Sequence, residues 1–310
     1  MQKVLTMMKF SMNERNPNYA KDPAVVRFNG RYLMYYSVPP YPEDDPRRAN
    51  GWGIGIAESS DLVNWKYLCE VPPLSELESK GFCAPAARVY NGKVHLFYQT
   101  YSIAKCDAIC MAVSEDGIHF KAEPTNPIFQ PPQSSWSCGR AIDADVIGYK
   151  GQYFLYVATR DPEFKIQKLA VAVSDGDFSA AGWKFPFDGS VLYPELPWEQ
   201  ECIEAPATCI HNGKIYMFYG GAYNNRPQQV GCAVSTDGIH FERISNEPVL
   251  PCGKPGDWNS SESGHPYAFT DDDSRQYLFF QGNCDHGKTW YLSVKEITWQ
   301  GDMPVLKEME

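Results

Sequence analysis

The chain has 310 residues, of which 43% are hydrophobic and 14% aromatic, enough for a sizeable core. Its formal net charge is -10 and it contains no run of Lys or Arg, which argues against nucleic-acid and anionic-membrane binders. No apolar stretch approaches the roughly 18 residues of a membrane span, and the first ten residues lack the small-residue cleavage site of a signal peptide. We therefore expect a soluble, cytoplasmic protein.

The ten cysteines are scattered through predicted strands, and no two of them form a CxxC pair. A zinc site needs close pairs of ligands that converge on the ion, so the cysteines do not predict one. In a cytoplasmic protein we expect them to be reduced, buried thiols.

Five copies of one sequence pattern predict the fold. Short runs rich in Tyr, Phe, Val and Ile alternate with turn residues, which is typical of β-strands. The turn glycines of the first four copies are spaced by 62, 59 and 62 residues, at Gly30, Gly92, Gly151 and Gly213. Each lies between two β-runs, where a tight hairpin turn needs a residue that tolerates positive φ.

A second hairpin turn recurs at residues 59–65, 114–120 and 235–241, so each repeat holds two hairpins, or four strands. Five such units of about 60 residues predict an all-β, five-bladed β-propeller with four-stranded antiparallel blades around a central channel. We expect a single domain over residues 1–310, with blades that start near residues 22, 84, 143, 205 and 265.

The first strand of each blade lines the channel of a propeller, so equivalent positions of the repeats converge around one axis. The residue before the repeated Pro, which we call the axial residue, is in blade order Asp22, Ala84, Asp143, Ala205 and His265. Blade 3 has Ala144 in place of the Pro, and in blade 4 Glu204 stands one place before the axial residue. Charged groups on an otherwise apolar inner strand are costly unless they are paired or used.

Three of these residues, Asp22, Asp143 and Glu204, are the candidate catalytic groups. Glycosidic cleavage needs a protonated carboxylic acid for the leaving oxygen and an ionised carboxylate as base or nucleophile. A third carboxylate near the acid would raise its pKa by like-charge repulsion. The alternative is structural: the three residues cap hydrogen bonds in the channel or bind a structural ion.

The motifs resemble those of glycoside hydrolase family 43, in the clan of five-bladed propellers that also includes the invertase-like families. The likeness runs from about residue 16 to the end of the chain. The family's Asp-Pro, Trp-Ala-Pro, Ile-Asp-Pro and Glu-Gly-Pro are similar, in this order, to Asp22-Pro23, Phe82-Cys-Ala-Pro85, Ile142-Asp-Ala144 and Glu204-Ala-Pro206.

The resemblance implies an inverting enzyme in which Asp22 is the general base that activates a water and Glu204 is the general acid. Asp143 would raise the pKa of the acid and orient it. Asp145 lies two residues further along the strand and is expected on the same face, so it is the alternative for the blade 3 role.

We predict Phe82, Trp136, Arg140 and His265 as substrate-binding residues. Trp136 precedes the axial residue of its blade by seven positions, and Phe82 takes the place of the family's Trp; aromatic faces can stack on sugars. Arg140 can bond substrate hydroxyls or hold a carboxylate. The family often has a histidine at the position of His265, near a water or a calcium-centred cluster, which allows a structural calcium ion there; no cofactor is expected to be required.

The expected function is the release of terminal sugars from short oligosaccharides, as in a β-xylosidase or an α-L-arabinofuranosidase. One alternative is a glycoside phosphorylase of the related family 130, in which Arg88, Arg140 and Lys288 would attract phosphate. Another is a non-catalytic, sugar-binding propeller. The expected partner is an oligosaccharide, and neither a nucleic acid nor a membrane is expected. The sequence leaves open whether the chain forms a homo-oligomer.

Overall fold

Nineteen β-strands form five antiparallel sheets in the computed structural model, which describes residues 7–15, 18–101 and 104–309. The strands of each sheet pair with one another in chain order, as in the blades of a propeller. Within the described ranges there is no α-helix. Nor do these ranges contain a helix with the length and apolarity to cross a membrane. The predicted all-β, five-bladed propeller is confirmed.

Each blade takes its strands consecutively from the chain. Blade 1 comprises β1 (Lys21–Phe28), β2 (Arg31–Val38), β3 (Gly53–Ser59) and β4 (Lys66–Val71). Blade 2 comprises β5 (Phe82–Tyr90), β6 (Lys93–Thr100), β7 (Ile109–Ser114) and β8 (Phe120–Ala122). Blade 3 comprises β9 (Ile142–Tyr149), β10 (Gln152–Arg160) and β11 (Gln167–Ser174). Blade 4 comprises β12 (Ile203–His211), β13 (Lys214–Gly221), β14 (Gln229–Ser235) and β15 (Glu242–Arg243). Blade 5 comprises β16 (Glu262–Thr270), β17 (Gln276–Asn283), β18 (Tyr291–Gln300) and β19 (Met303–Lys307). Short 3-10 turns occupy Pro46–Asn50, Glu76–Glu78 and Ala104–Cys106.

Blade 3 departs from the regular four-strand ladder. Its outer edge, β11, is covered by isolated bridges instead of a continuous strand: Val173 pairs with Lys184, and Leu169 pairs with Leu192. The covering segment, residues 184–192, contains Pro186 and Gly189, residues that interrupt a ladder of backbone hydrogen bonds. The fourth strand of this blade is thereby reduced to two points of contact.

The backbone of all five axial residues departs from the extended conformation of a strand. Their φ angles are 52°, 48°, 53°, 52° and 43° for Asp22, Ala84, Asp143, Ala205 and His265. The pairing of the first two strands shifts register at the same point in every blade, which makes a β-bulge. A non-glycine residue at positive φ is strained and persists only where its surroundings hold it.

A side chain from the preceding blade holds the axial residue in four of the five blades. In each case the axial backbone N–H donates to a side-chain oxygen. The pairs are Asp22 to Gln281 (3.1 Å), Ala84 to Ser37 (2.7 Å), Asp143 to Gln99 (2.8 Å) and His265 to Gln228 (2.9 Å). These bonds tie four of the five first strands to the preceding blade at the channel.

The two ends of the described chain meet in blade 5. Phe10 and Leu292, at the start of β18, exchange backbone hydrogen bonds of 2.9 and 2.8 Å. The Ser293 hydroxyl donates to the carbonyl of Met8 at 2.7 Å. Because β19 pairs with the other half of β18, both ends of the chain complete the same blade and close the ring.

All ten cysteines are free. Six are buried, but Cys106 and Cys284 are exposed, so the expectation of burial was wrong for these two. Both lie in loops after second strands, which the repeat pattern does not describe.

The bonds between blades predict a stability effect. Ser37→Ala leaves the buried N–H of Ala84 without its acceptor, so we expect the free energy of unfolding to fall by about 1–3 kcal/mol. Ser60→Ala removes the hydroxyl of an exposed serine and should change it by less than about 0.5 kcal/mol. Urea denaturation measures both, and equal stabilities of the two variants would contradict the role given to the bond.

Candidate active site

A cavity of about 180 Å³ lies at the end of the channel where the first strands begin. Its lining includes Asp22, Asp143, Glu204 and His265. The structure thus brings together the three candidate catalytic carboxylates and the axial histidine. A larger cavity of about 280 Å³ lies next to Phe154, but its lining contains none of these three carboxylates.

His265 joins two of the carboxylates. Its Nε2 atom lies 3.4 Å from Oδ1 of Asp22 and 3.4 Å from Oδ1 of Asp143. Burial alone would lower the pKa of His265, but the negative charges of Asp22 and Asp143 outweigh it and raise the pKa to about 9. The imidazole is therefore positively charged at neutral pH and fixes the positions of both carboxylates.

Two glutamines orient Glu204. The side-chain amide of Gln167 donates to Oε2, and that of Gln228 donates to Oε1 at 2.7 Å. Gly220 pairs with Glu204 in the neighbouring strand, and a Cβ there would come within 3.0 Å of the Gln228 amide carbon. The glycine leaves room for the glutamine that holds the carboxylate.

The environment of Glu204 favours its protonated form. Burial is the largest cause and raises its pKa, and the negative charge of Asp143 raises it further. His265 and the hydrogen bond from Gln228 lower the pKa but only in part, so that it stays above its ordinary value. A raised pKa favours the protonated form that a general acid needs.

Asp145 forms its contacts outside the cavity. Its Oδ1 atom lies 2.8 Å from the Arg88 guanidinium, and its Oδ2 atom accepts the backbone N–H of Thr208 at 2.7 Å. It is buried and does not line the cavity. The expectation that it shares a face with Asp143 fails because positive φ and the bulge at Asp143 break the two-residue alternation of the strand.

Two predicted aromatic residues lie away from the cavity. Phe82 is only 2% exposed and packs edge-to-face on Tyr98, with 5.4 Å between ring centroids. The indole N–H of Trp136 donates to Asp188, and neither Phe82 nor Trp136 lines the cavity. Phe82 is a core residue, since the axial bulge turns Cys83 and Ala84 toward the channel in its place.

Arg140 contacts the catalytic carboxylates only through another side chain. Its Nε atom is 3.3 Å from a carboxylate oxygen of Asp107, and its Nη1 donates to Oε1 of Gln167 at 3.3 Å. The amide of Gln167 in turn donates to Glu204. Arg140 therefore helps to orient the glutamine and does not itself line the cavity.

Sequence reasoning missed the residues that form the cavity wall. Trp52, Tyr101 and Asn224 come from the loops that follow second strands, and the Trp52 and Tyr101 rings lie 5.8 Å apart. Antiparallel pairing puts these loops at the same end as the axial residues. The available signal was the glycine on each side of Trp52, which is typical of a tight, exposed loop.

Another buried carboxylate, Glu262, supports the site from blade 5. It accepts hydrogen bonds from the Gln281 amide at 2.8 Å and from the Asn225 N–H at 2.6 Å. Burial raises its pKa to about 7, although the positive charge of Lys21 opposes this. Gln281 also accepts the N–H of Asp22, so Glu262 fixes the side chain that holds the base candidate in place.

The donors around His265 do not fit a calcium ion. Calcium takes six to eight oxygen ligands, whereas the described ranges contain no group of three or more His, Cys, Asp or Glu arranged to hold a metal. Nε2 of His265 instead faces one oxygen each of Asp22 and Asp143, at 3.4 Å. Its Nδ1 is buried without a hydrogen-bond partner among the described residues, a position that suits a single water.

Residues 15–304 match the family described as glycosyl hydrolases family 43. The chain belongs to this family. A 1,2-beta-oligomannan phosphorylase from Thermoanaerobacter sp. (strain X514) is 25% identical over 210 residues, 65% of this chain and 64% of that protein. The chain thus spans less than two thirds of this relative.

Solved structures share the fold over nearly the whole chain. A thermostable family-43 glycoside hydrolase has a TM-score of 0.75 at 20% identity, over 96% of both chains. An alpha-L-arabinofuranosidase from Lactobacillus brevis has a TM-score of 0.69 at 16% identity, over 96% of this chain and 97% of the other. At these identities the likeness establishes the propeller alone.

The charge on His265 predicts a pH-dependent stability in this family 43 protein. Its pKa is raised from 6.5 to about 9, so its contribution is complete below pH 6.5 and is lost as the pH rises through 9. We expect the difference in free energy of unfolding between the wild type and His265→Asn to fall by about 3 kcal/mol over this range.

His286→Asn is the control, because His286 is exposed and also has a positive φ that asparagine tolerates. Its difference from the wild type should not change with pH. Denaturant titrations at several pH values measure both differences, and a constant difference for His265→Asn would contradict the ion pairs.

Proposed function

We propose that the protein is an inverting glycosidase that releases single terminal sugars from short oligosaccharides. One observation carries the proposal: Asp22, Asp143 and Glu204 line one small cavity, and the pKa of Glu204 is raised. Membership of family 43 supports hydrolysis of a glycosidic bond. The non-catalytic alternative gives no reason for three carboxylates to be gathered at such electrostatic cost.

Glu204 is the proposed general acid. It donates its proton to the glycosidic oxygen as the bond to the leaving sugar breaks. Gln167 and Gln228 hold its two oxygens, so the carboxyl group has a fixed orientation before the substrate binds. Asp143 supplies the negative charge that keeps the proton on Glu204 until it is needed.

Asp22 is the proposed general base. It removes a proton from a water that attacks the anomeric carbon on the face opposite to the leaving group. Inverting enzymes hold the two carboxyl groups roughly 6.5–9.5 Å apart so that this water fits between the base and the sugar. His265, at 3.4 Å from Asp22, keeps the base in position.

The size of the cavity supports exo action. Its volume of about 180 Å³ is below the roughly 300–1,000 Å³ of pockets that enclose drug-sized ligands, so a single sugar ring is the natural occupant. Trp52 and Tyr101 supply aromatic wall against which the ring can stack. An α-L-arabinofuranosidase or β-xylosidase type is proposed, in keeping with membership of family 43.

Phosphorolysis is a second candidate, because a curated relative is a phosphorylase. Two of the basic residues proposed to attract phosphate, Arg88 and Arg140, pair with Asp145 and Asp107. Neither of them lines the cavity, and nor does Lys288. A turnover rate that requires inorganic phosphate would establish this candidate over hydrolysis.

Loss of the base tests the proposed reaction. On a panel of nitrophenyl pentosides and hexosides, we expect Asp22→Asn to lower kcat/KM by about 100- to 10,000-fold on any substrate that the wild type cleaves. Asp302→Asn changes an exposed aspartate outside the cavity and should retain wild-type activity. Absence of turnover by the wild type, or full activity of Asp22→Asn, would contradict the proposal.

The role of Asp143 predicts a shift in the pH profile. Asp143→Asn removes a negative charge that raises the pKa of Glu204, so the alkaline limb of kcat/KM should move to lower pH. Profiles of the wild type, Asp143→Asn and Asp302→Asn give the comparison. An alkaline limb that stays at its wild-type position in Asp143→Asn would assign that limb to a group other than Glu204.

A further inference from the structure

Arg160, the last residue of β10, contacts a side chain that orients the proposed acid. Its Nε atom donates to Oε1 of Gln167 at 2.8 Å, and the two residues are partners in the pairing of β10 with β11. The guanidinium group also lies 4.4 Å from the centre of the Phe164 ring and 5.0 Å from that of the Tyr223 ring. Cation–π attraction to both rings holds the guanidinium group beside the glutamine.

Two arginines fix the orientation of the Gln167 amide. Oε1 of Gln167 accepts from Arg160 at 2.8 Å and from Nη1 of Arg140 at 3.3 Å, which uses both acceptor sites of a carbonyl oxygen. A reversed amide would put its NH2 group against two guanidinium groups, which have donors but no acceptor. The NH2 group must therefore point to Glu204, whose Oε2 accepts a hydrogen bond from it.

The second glutamine at Glu204 has a fixed orientation as well. Oε1 of Gln228 accepts the backbone N–H of His265 at 2.9 Å. Its amide nitrogen donates to Oε1 of Glu204 at 2.7 Å and to the carbonyl of Ala222 at 2.9 Å. Both glutamines thus act on Glu204 only as hydrogen-bond donors.

These fixed amides determine where the proton of Glu204 can go. A glutamine that was free to turn could present its amide oxygen and accept a hydrogen bond from a protonated carboxyl group. Neither amide oxygen is available here, so neither glutamine can compete with the glycosidic oxygen for the proton. Once the proton has left, each oxygen of the carboxylate keeps an N–H donor that stabilises the new negative charge.

We infer that Arg160 is a positioning residue for proton transfer, which fixes the Gln167 amide as a donor and so directs the Glu204 proton to the leaving group. The inference rests on the proposed function, because it takes Glu204 as the general acid. Arg140 contributes the weaker of the two bonds to the amide oxygen and also pairs with Asp107. Arg160 is half-buried at the end of its strand, so its replacement isolates the effect on the glutamine.

The dependence on the leaving group tests the inference. The substrates are the phenyl and 2,4-dinitrophenyl glycosides of the sugar that the nitrophenyl panel selects, because phenolate needs a proton to leave and dinitrophenolate does not. We expect Arg160→Met to lower kcat/KM about tenfold or more on the phenyl glycoside and less than about twofold on the dinitrophenyl glycoside. Lys165→Met is the control: it removes an exposed positive charge from the same hairpin, which pairs with Glu201 at 3.1 Å, and should change neither rate.

A double variant tests whether Arg160 acts through Gln167. Gln167→Met removes the amide and should lower kcat/KM on the phenyl glycoside at least as much as Arg160→Met does. The double variant Arg160→Met/Gln167→Met should lose no more than Gln167→Met alone, since the arginine then has no amide to orient. Arg160→Lys keeps a positively charged donor and should retain part of the activity, and thermal unfolding shows whether each variant is folded.

Three results would overturn the inference. They are wild-type activity of Arg160→Met, equal losses on both glycosides in folded Arg160→Met, and losses that multiply in the double variant. Glu204→Gln separates this outcome from a failure of the proposed function. A leaving-group dependence in Glu204→Gln that is missing from Arg160→Met would overturn the inference alone. Equal losses on both glycosides in Glu204→Gln, or no turnover by the wild type, would contradict the proposed function and the inference with it.

Discussion

The left-handed turn of the backbone at the channel is the constraint on which the site depends. An ordinary strand would send successive side chains to opposite faces, but the bulge at each axial residue interrupts that alternation. As a result Asp22, Asp143 and His265 all face one cavity. The strained backbone is held by hydrogen bonds from the preceding blade, so the packing of neighbouring blades and the geometry of the site depend on the same contacts.

The same arrangement makes a group of charges tolerable at the centre of an apolar propeller. Two carboxylates share one positive imidazole, and burial and the nearby charge of Asp143 raise the pKa of the third. Each oxygen of Glu204 has a glutamine donor. Isolated buried ions would be strongly destabilising, whereas ions that are paired and hydrogen-bonded hold one another in fixed positions.

The repeat determines the features that the sequence could predict, and the residues outside the repeat were missed. Equal spacing of turns predicted five blades, and the residue before Pro predicted which side chains meet at the axis. The wall residues Trp52 and Tyr101 lie in loops without a common register, so positions counted from the axial residue and from the family motif led to Phe82 and Trp136 instead. Asp145 remained an alternative to Asp143 for the blade 3 role because the sequence suggests strict alternation along the strand and gives no sign of the bulge. Gln167 and Gln228 are uncharged residues whose roles emerge only from their contacts.

The anomeric configuration of the first sugar released is the most direct test of the central claim, that Asp22 activates a water across the sugar from Glu204. A proton NMR time course on any cleaved substrate distinguishes the two anomers before they equilibrate. The account predicts that the first product has the configuration opposite to that of the substrate. Retained configuration would contradict it, because Asp22 would then be a nucleophile that forms a covalent intermediate and not a base that acts on water.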